Sequence, residues 1–271
     1  MLVLRGPSAS VGAMRVATFN LLSGRSLTDG QIRAADLEDA AAEIDADVVG
    51  LQEVDRAQDR SGGVDQTALV AAALGAGWSC FVPAVDGTPG VAWTASTHDD
   101  GALTTGPAYG VGLVSRLPVL SWRVRRFGPA PVGMPLLVPG NRGLTHVPDE
   151  PRIALAAVVE GPAGPFTVLT AHLSFMPGWN VRQLRAVARW ARSMPGPRLL
   201  LGDFNLPGAV PRLVTGWTQL ARLPTYPSWR PRVQLDHVLA DVPTAISDAR
   251  ALRLPVSDHC ALVVDLADGR L

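Results

Sequence analysis

The chain contains no lysine: all 24 of its cationic side chains are arginine, and 24 carboxylates balance them to a net charge of zero. A balanced charge argues against strong nonspecific binding to polyanions, which requires a basic surface. It does not exclude a local patch of arginines. The arginine-only usage carries little functional weight, because the base composition of a GC-rich genome can produce it.

Cysteine and long apolar segments are also scarce. Cys80 and Cys260 form neither a disulfide framework nor a zinc-ligand spacing, and their apolar surroundings predict buried thiols. No apolar run approaches the roughly 18 residues that a membrane-spanning helix needs. Residues 1–13 begin with only four apolar residues before an arginine, which is too weak a pattern for a secretory signal. We therefore expect a cytoplasmic protein without a membrane span, and a monomer.

What the chain does contain predicts a globular domain. Hydrophobic residues make up 47% of the 271 residues and charged residues 18%, a balance that can bury a full core and that excludes a disordered chain. The sequence has no internal repeat and no linker-like segment. We predict an N-terminal extension over residues 1–13 and one domain over residues 14–271.

Apolar patterning divides that domain into an irregular mixture of strands and helices. Apolar residues at helical spacing predict helices over residues 31–44, 65–74 and 181–193. Stretches rich in Gly and Pro predict long loops at residues 86–106 and 128–151. The irregular order, with several hairpins, favours an α+β or mixed layer fold over a repeating βαβ barrel. Alternating or continuous apolar runs predict strands over residues 14–22, 47–54, 78–83, 109–115, 117–127, 152–160, 165–174, 199–201, 234–240 and 260–266.

The most informative stretch is residues 199–207, which read Leu-Leu-Leu-Gly-Asp-Phe-Asn-Leu-Pro. The three leucines predict a fully buried strand, and Gly202 frees the backbone at its end. Alternation then places Asp203 and Asn205 on one side and Phe204 on the other. A carboxylate and a carboxamide side by side at the edge of a sheet can hold a metal, a water or a phosphate. A simple turn is the alternative, since Asp and Asn are common in turns.

Polar residues end other predicted strands in the same way. Glu53 ends an apolar strand, where a carboxylate is rarely buried unless it is paired or metal-bound, and a solvated strand end is the alternative. His172 also ends a strand, and a core histidine with satisfied hydrogen bonds is the alternative there. Together, the polar residues at strand ends predict one rim where several strands converge: Asn20, Glu53, His172, Asp203, Asn205, Asp236, Asp258 and His259.

Six short motifs that contain these residues resemble, in the same order along the chain, the motifs of the endonuclease/exonuclease/phosphatase superfamily. That family includes DNase I, the abasic-site endonucleases, inositol polyphosphate 5-phosphatases and neutral sphingomyelinases. Each motif is weakly specific alone, but six in order are strongly specific, and they cover the chain from about residue 14 to residue 266. The motifs are Thr18-Phe19-Asn20, Leu51-Gln52-Glu53, Thr170-Ala171-His172-Leu173, Gly202-Asp203-Phe204-Asn205, Leu235-Asp236-His237 and Ser257-Asp258-His259.

The resemblance implies an α+β fold of the DNase I-like type, a four-layered αββα sandwich of two packed mixed sheets flanked by helices. It also implies a phosphoester hydrolase with its site at one end of the two sheets. Glu53 resembles the principal metal ligand of the family. Asn20 and Asp258 are the further candidates, because hard oxygen donors suit Mg²⁺, with Mn²⁺ as a possible substitute. Whether one or two metal ions bind is left open.

By the same resemblance, His259 corresponds to the catalytic histidine and Asp236 to the carboxylate that orients it and favours its charged form. Asp203 resembles the residue that aligns or deprotonates the attacking water. Asn205 and His172 resemble the donors to the phosphate oxygens. The proton acceptor is assigned jointly to Asp203 and to the His259–Asp236 pair.

Two further residues resemble substrate-binding positions of some members. Arg152 is similar to a phosphate-contacting arginine, with a surface arginine on a strand as the alternative. Tyr109 lies where some members place an aromatic side chain facing the site, and core packing is the alternative.

The substrate class does not follow from these residues, because specificity in such folds resides in loops. The favoured hypothesis is a Mg²⁺-dependent phosphodiesterase or phosphatase whose substrate is a nucleic acid, a phospholipid or a phosphoinositide. A DNase-type or repair nuclease is the second hypothesis. The third is a non-catalytic binding module that has kept the fold.

Overall fold

Two mixed sheets lie face to face in the computed structural model, which describes residues 14–99, 106–137, 144–267 and 271. The predicted N-terminal extension, residues 1–13, lies outside the described residues. The first sheet has seven strands: β1 (Met14–Asn20), β2 (Val48–Arg56), β3 (Trp78–Thr88), β4 (Ala92–Ala95), β5 (Ala108–Ser115), β14 (Ile246–Leu252) and β15 (Ala261–Leu266). Their order across the sheet is β14-β15-β1-β2-β5-β3-β4.

The second sheet has six strands and faces the first. It consists of β6 (Val119–Phe127), β9 (Arg152–Gly161), β10 (Gly164–His172), β11 (Arg198–Asp203), β12 (Thr218–Gln219) and β13 (Asp236–Ala240). Their order is β12-β13-β11-β10-β9-β6, so β6 forms one edge. A separate hairpin pairs β7 (Met134–Leu137) with β8 (Leu144–Val147).

Helices cover the outer face of each sheet. The helices are α1 (Ala34–Ile44), α2 (Gln66–Leu74), α3 (Trp179–Ala191) and α4 (Val210–Thr215), with short 3₁₀ turns at Leu22–Gly24 and Asp59–Ser61. Side chains of α1 and α2 pack on the first sheet, and those of α3 pack on the second. No helix in the described part of the chain combines the length and apolar composition that a membrane crossing requires.

Alternation along the strands builds the central layer. In β1, Val16 points between the sheets while Ala17 and Phe19 point toward α1 and α2. In β11, Leu199 and Leu201 point inward and Leu200 points toward α3. The central strands of each sheet are therefore buried on both faces, which explains their nearly continuous apolar runs. The predicted four-layered αββα sandwich is confirmed.

A buried polar contact fixes how the two sheets align near the rim. Gln52, on β2, accepts a hydrogen bond from Thr18 at 3.2 Å and donates one to Thr170, on β10 of the opposite sheet, at 2.9 Å. A Cβ added to Gly50 would lie 2.6 Å from the hydroxyl oxygen of Thr170, so the sheets approach closely there. Because a buried amide without partners is costly, this contact favours a single alignment of the strand ends.

The structure corrects several sequence-based boundaries. Residues 86–106 were expected to form a loop, but β3 continues to Thr88 and pairs with β4, because backbone hydrogen bonds hold this segment despite its glycines. The expected loop at 128–151 contains the β7–β8 hairpin. Strand β14 was not predicted at all, since its side chains are mostly exposed and show no apolar alternation. The buried-thiol prediction is correct for Cys260, but Cys80 is only half-buried.

Candidate active site

All eight polar strand-end residues lie at one end of the sandwich. Strands β1 and β2 run parallel, as do β10 and β11, so their carboxyl ends meet at this end. Strands β13 and β15 run antiparallel to β11 and β1, which places their amino ends at the same level. Asp203 is directly opposite Asp236 in the register of β11 and β13. We call this end of the molecule the rim.

Glu53 reaches the rim through an irregularity in β2. The pairing of β2 with β5 shifts register between Leu51 and Val54, and Glu53 lies in this bulge with φ of 53°. A bulge re-aims a side chain that regular alternation would direct elsewhere. Glu53 Oε1 accepts a hydrogen bond of 3.0 Å from Asn20 Nδ2.

Asn20 links two carboxylates at the centre of the rim. Its Nδ2 also donates to Asp203 Oδ2 at 3.1 Å, and its Oδ1 accepts from the backbone N–H of Leu22. The amide nitrogen of Asn20 therefore bridges the carboxylates of Glu53 and Asp203. The amide oxygen already accepts a hydrogen bond, from the backbone of Leu22. The assignment of Asn20 as a metal ligand therefore stays a prediction.

Asp203 is the most highly connected residue of the rim. Its Oδ1 accepts the backbone N–H of Asn205 at 2.9 Å. Its Oδ2 lies 3.7 Å from His172 Nε2 and 3.8 Å from His259 Nε2. Burial raises the pKa of Asp203 to about 7, although the charge of His259 acts in the opposite direction.

Gly202 sets the position of Asp203, and its replacement is expected to be costly. A Cβ at residue 202 would lie 2.0 Å from the carbonyl oxygen of Ala171, at a φ of +143°. Gly202→Ala should therefore lower the free energy of unfolding by about 3 kcal/mol or more, because backbone strain and overpacking add. Urea unfolding followed by circular dichroism measures this change.

Gly208→Ala provides the matched control for that variant. Gly208 also has positive φ, +56°, but an added Cβ would meet nothing within 4 Å. Its replacement should cost about 1–2 kcal/mol from the left-handed backbone alone. Equal losses in the two variants would contradict the assignment of close packing between residue 202 and β10.

His259 and Asp236 form the shortest side-chain pair of the rim. His259 Nδ1 lies 2.8 Å from Asp236 Oδ2, and both residues are buried. Burial disfavours the charged imidazole, but the negative charges of Asp236 and Asp203 and the hydrogen bond to Asp236 outweigh it and raise the pKa of His259 to about 10. His259 is thus held as an imidazolium between two carboxylates.

His172 is held in the opposite protonation state. Burial, reinforced by the neighbouring charges of Arg152 and His259, lowers the pKa of His172 well below its usual range. Arg152 Nη1 lies 3.2 Å from His172 Nδ1 and 3.5 Å from His172 Nε2, and since arginine can only donate, we assign the nearer Nδ1 as the acceptor. The proton of the neutral ring therefore resides on Nε2, facing Asp203 and, at 3.4 Å, Asn205 Nδ2.

Arg152 is a buried part of this arrangement. Its Nη2 donates to Asp149 Oδ1 at 3.4 Å, and Asp149 Oδ2 accepts from Ser174 at 2.7 Å. The alternative of a surface arginine is therefore wrong. Tyr109 packs within the layer between the sheets, where Arg152 and His172 border the same small cavity.

His237 supports the loop that follows β11. Phe204 points into the outer core and stacks on His237, with ring centroids 5.4 Å apart. His237 Nε2 bonds the carbonyl oxygen of Leu206 at 2.8 Å, and burial lowers the pKa of His237 to about 4. The neutral ring therefore supports the loop that carries Asn205, whose Nδ2 donates to the carbonyl oxygen of Leu173.

Sequence reasoning missed several residues that hold the site together. Ser257 donates to the carbonyl oxygen of Asn20 at 2.6 Å and accepts the backbone N–H of His259 at 3.0 Å. The ring of Tyr226 packs on His259 at a centroid distance of 4.9 Å. Asp149 and Ser174 hold Arg152, as described above. The serine in the Ser257-Asp258-His259 motif was the one available signal, because a hydroxyl two residues before a histidine can bond its backbone.

The rim carries more negative charge than its cationic groups neutralise. Burial raises the pKa of both Glu53 and Asp258. The negative charge of Asp258 raises the pKa of Glu53 further, and that of Asp236 raises the pKa of Asp258. Neither forms an ion pair with a cationic side chain in the described ranges. Glu53 and Asp258 are half-buried, and oxygen donors in this state fit a hard divalent cation. Asp203, Asp236 and His259 form a second group whose ligand atoms lie within 4.8 Å of one another.

Comparisons with solved structures show the same fold. The chain is similar to an endonuclease/exonuclease/phosphatase from Beutenbergia cavernae, with a TM-score of 0.64 and 22% identity, over 94% of this chain and 71% of that one. It is similar to D. rerio TDP2 complexed with single-strand DNA product, with a TM-score of 0.58 and 15% identity, over 94% and 98%. It is also similar to sphingomyelinase C from Streptomyces griseocarneus, with a TM-score of 0.56 and 15% identity, over 94% and 99%.

Sequence comparison gives the family. A search of curated protein sequences finds no match. The sequence model of the Endonuclease/Exonuclease/phosphatase family, in contrast, matches residues 17–259, which include every rim residue. The chain belongs to the endonuclease/exonuclease/phosphatase family.

Proposed function

We propose that the protein is a Mg²⁺-dependent phosphoester hydrolase that acts on a phosphodiester or phosphomonoester. The observation that supports this most strongly is the placement of Asp203 between two histidines in opposite protonation states. His259 is an imidazolium paired with Asp236 at 2.8 Å, and His172 is neutral beside Arg152. Hydrolysis of a phosphoester needs a proton acceptor for water and donors for the phosphoryl oxygens, and these groups supply both.

Glu53 and Asp258 are the side chains that would hold the cation, with Asn20 beside them. Both are carboxylates that burial makes reluctant to ionise without a positive partner. The group of Asp203, Asp236 and His259 fits a cation less well, because the charged imidazole of His259 has no free lone pair. When bound, Mg²⁺ supplies neutralisation of charge on the phosphoryl oxygens, and Mn²⁺ is a plausible replacement.

The protein's own groups would divide the remaining tasks. Asp203 Oδ2, with a pKa near neutrality, is placed to accept a proton from water. His259 Nε2–H, on the same side of Asp203, is placed to donate to a phosphoryl or leaving oxygen. The Nε2–H of His172 and the free N–H of Asn205 Nδ2 converge within 3.4 Å, an arrangement of two donors that suits an anionic oxygen.

Incubation with bis-p-nitrophenyl phosphate tests this function. We expect release of nitrophenol with Mg²⁺, loss of turnover with a chelator, and recovery when Mg²⁺ is restored. His259→Ala, purified in the same way, controls for a contaminating hydrolase. If the folded protein shows no metal-dependent turnover on this or any other phosphoester, the hypothesis of a non-catalytic binding module is favoured instead. Plasmid DNA, abasic-site DNA, sphingomyelin and phosphoinositides then separate the substrate classes, including the nuclease alternative.

A further inference from the structure

A cleft lined by arginines lies outside the rim, between the edge strand β6 and helix α3. Strand β6 contributes Arg125 and Phe127, and α3 contributes Arg182, Gln183 and Arg189. Arg182 and Arg189 are two helical turns apart, which separates them by about 10 Å along the axis at 1.5 Å per residue. The cleft therefore presents cationic groups on both walls.

Most of the positive charge of this cleft is uncompensated: of its four lining arginines, only Arg126 forms an ion pair, with Asp99. No acidic side chain is among its described lining residues. Arg125, Arg182 and Arg189 form no ion pair in the described part of the chain, and all three are exposed. In a protein of zero net charge, such a concentration indicates a surface for an anionic ligand.

The cleft combines a buried amide without an acceptor with aromatic rings beside its arginines. Gln183 is buried, and its Nε2 has no acceptor among the described residues. The guanidinium of Arg182 lies over the ring of Trp179 at 5.0 Å, and that of Arg125 over the ring of Phe127 at 5.6 Å. Planar guanidinium groups and aromatic rings bind phosphates and stack on bases, respectively.

The cleft is connected to the rim by neighbouring residues. Phe127 is the register partner of Arg152, whose guanidinium contacts His172. Gln183 Oε1 accepts the backbone N–H of Ser174, which lies two residues after His172. The cleft and the rim therefore adjoin at the start of β9, so an extended ligand bound in the cleft would end close to the rim.

We propose that this cleft binds the phosphate backbone of a single-stranded nucleic acid. Arg125, Arg182 and Arg189 contact phosphates, and Trp179 offers a stacking surface. The path toward the rim rests on the proposed function, whereas binding in the cleft does not. An anionic membrane fits less well, because none of the exposed large hydrophobic residues in the described ranges lines the cleft.

Fluorescence anisotropy with a labelled oligothymidylate, in the presence of a chelator, tests the inference without hydrolysis. Arg182→Gln/Arg189→Gln should weaken binding about tenfold or more at low salt. It should also flatten the plot of log affinity against log salt by about 1.4, since each phosphate contact on a single strand contributes about 0.7. Gln forms helices well, so α3 should persist.

The control is Arg33→Gln/Arg253→Gln, which removes the same formal charge from two exposed arginines on the side of the first sheet, before α1 and after β14. Arg33 pairs with Asp29 and Asp36, and the variant should leave affinity and salt slope close to wild type. Equal binding by the two double variants would overturn the inference. Binding to phosphatidylserine vesicles but not to the oligonucleotide, lost in Arg182→Gln/Arg189→Gln, would overturn it in favour of a membrane surface.

Hydrolysis of bis-p-nitrophenyl phosphate separates this inference from the proposed function. The substrate is too small to reach the cleft, so Arg182→Gln/Arg189→Gln should hydrolyse it at the wild-type rate. Hydrolysis without oligonucleotide binding by the wild type would remove the inference alone. Binding without hydrolysis would remove the proposed function and leave the cleft as a nucleic-acid site.

Discussion

Replacing Asp236 by Asn is expected to lower kcat by about three to four orders of magnitude, as occurs when the carboxylate behind a catalytic histidine becomes an amide. Asp236 Oδ2 receives the Nδ1 proton of His259 at 2.8 Å, and its charge helps to raise the pKa of that imidazole to about 10. An amide keeps the volume but loses the charge. His259 would then be neutral over much of the working pH range, and its ring could turn to the wrong tautomer.

The pH profile distinguishes this role from a structural one. In the wild type, activity should rise as Asp203 loses its proton near pH 7 and should fall as His259 loses its proton near pH 10. In Asp236→Asn the falling limb should move to lower pH, with KM and Mg²⁺ affinity nearly unchanged. Asp265→Asn is the control, since Asp265 is a paired carboxylate near the far end of β15. An equal loss of metal binding in Asp236→Asn would instead make Asp236 a ligand.

The position of the site could be predicted because strand ends are visible in the sequence. Apolar runs such as Leu199–Leu200–Leu201 mark buried strands, and Asp203 follows at once. The family resemblance then gave the order of the motifs. The parallel and antiparallel pairings that bring these ends together complete the rim.

The supporting contacts could not be predicted, since they depend on where irregular segments go. Glu53 faces the rim because of a bulge, and pattern analysis assumes a regular strand. Asp149 lies in a stretch rich in Pro and Gly, where no periodicity indicates that a carboxylate is buried beneath Arg152. Strand β14 was missed because its side chains are exposed or half-buried and show no apolar alternation. Backbone pairing with β15 holds it in the sheet.

The arginine cleft could not be predicted from the sequence either, because it also depends on how distant segments pack. The sequence shows Arg182, Arg185, Arg189 and Arg192 at helical spacing, and a solvated helix face explains that spacing by itself. Only the packing of α3 on the second sheet places Arg125 opposite, on the edge strand β6. A charged site formed by distant segments therefore depends on the fold, and the local sequence pattern does not predict it.

Replacing Glu53 by Gln is expected to weaken Mg²⁺ binding by about a hundredfold or more, beyond the loss caused by mutation of a residue that merely supports a ligand. The side chain keeps its volume and can still accept from Asn20 Nδ2, but the negative charge is gone. Turnover with Mg²⁺ should fall in parallel. Titration with Mn²⁺, followed by electron paramagnetic resonance, measures the affinity independently of activity.

The same variant should be more stable than wild type when no metal is present. Burial raises the pKa of Glu53, so the folded protein binds this proton more tightly than the unfolded chain does. The ionised carboxylate therefore destabilises the fold above the unfolded-state pKa, and the penalty is complete above the folded-state pKa. Gln removes it. At pH 8 with a chelator, Glu53→Gln should unfold at a higher urea concentration than wild type.

Added Mg²⁺ should reverse this order, because a ligand that binds only the folded state stabilises it by RT ln(1 + L/Kd), where L is the free ligand concentration. Wild type should gain stability with Mg²⁺, and Glu53→Gln should gain little. Glu43→Gln, on the exposed face of α1, controls for the loss of a carboxylate elsewhere. If Glu53→Gln keeps both the Mg²⁺-dependent stabilisation and the turnover, the cation does not depend on Glu53. The group of Asp203, Asp236 and His259 would then be the better site, with His259 deprotonated to serve as a ligand.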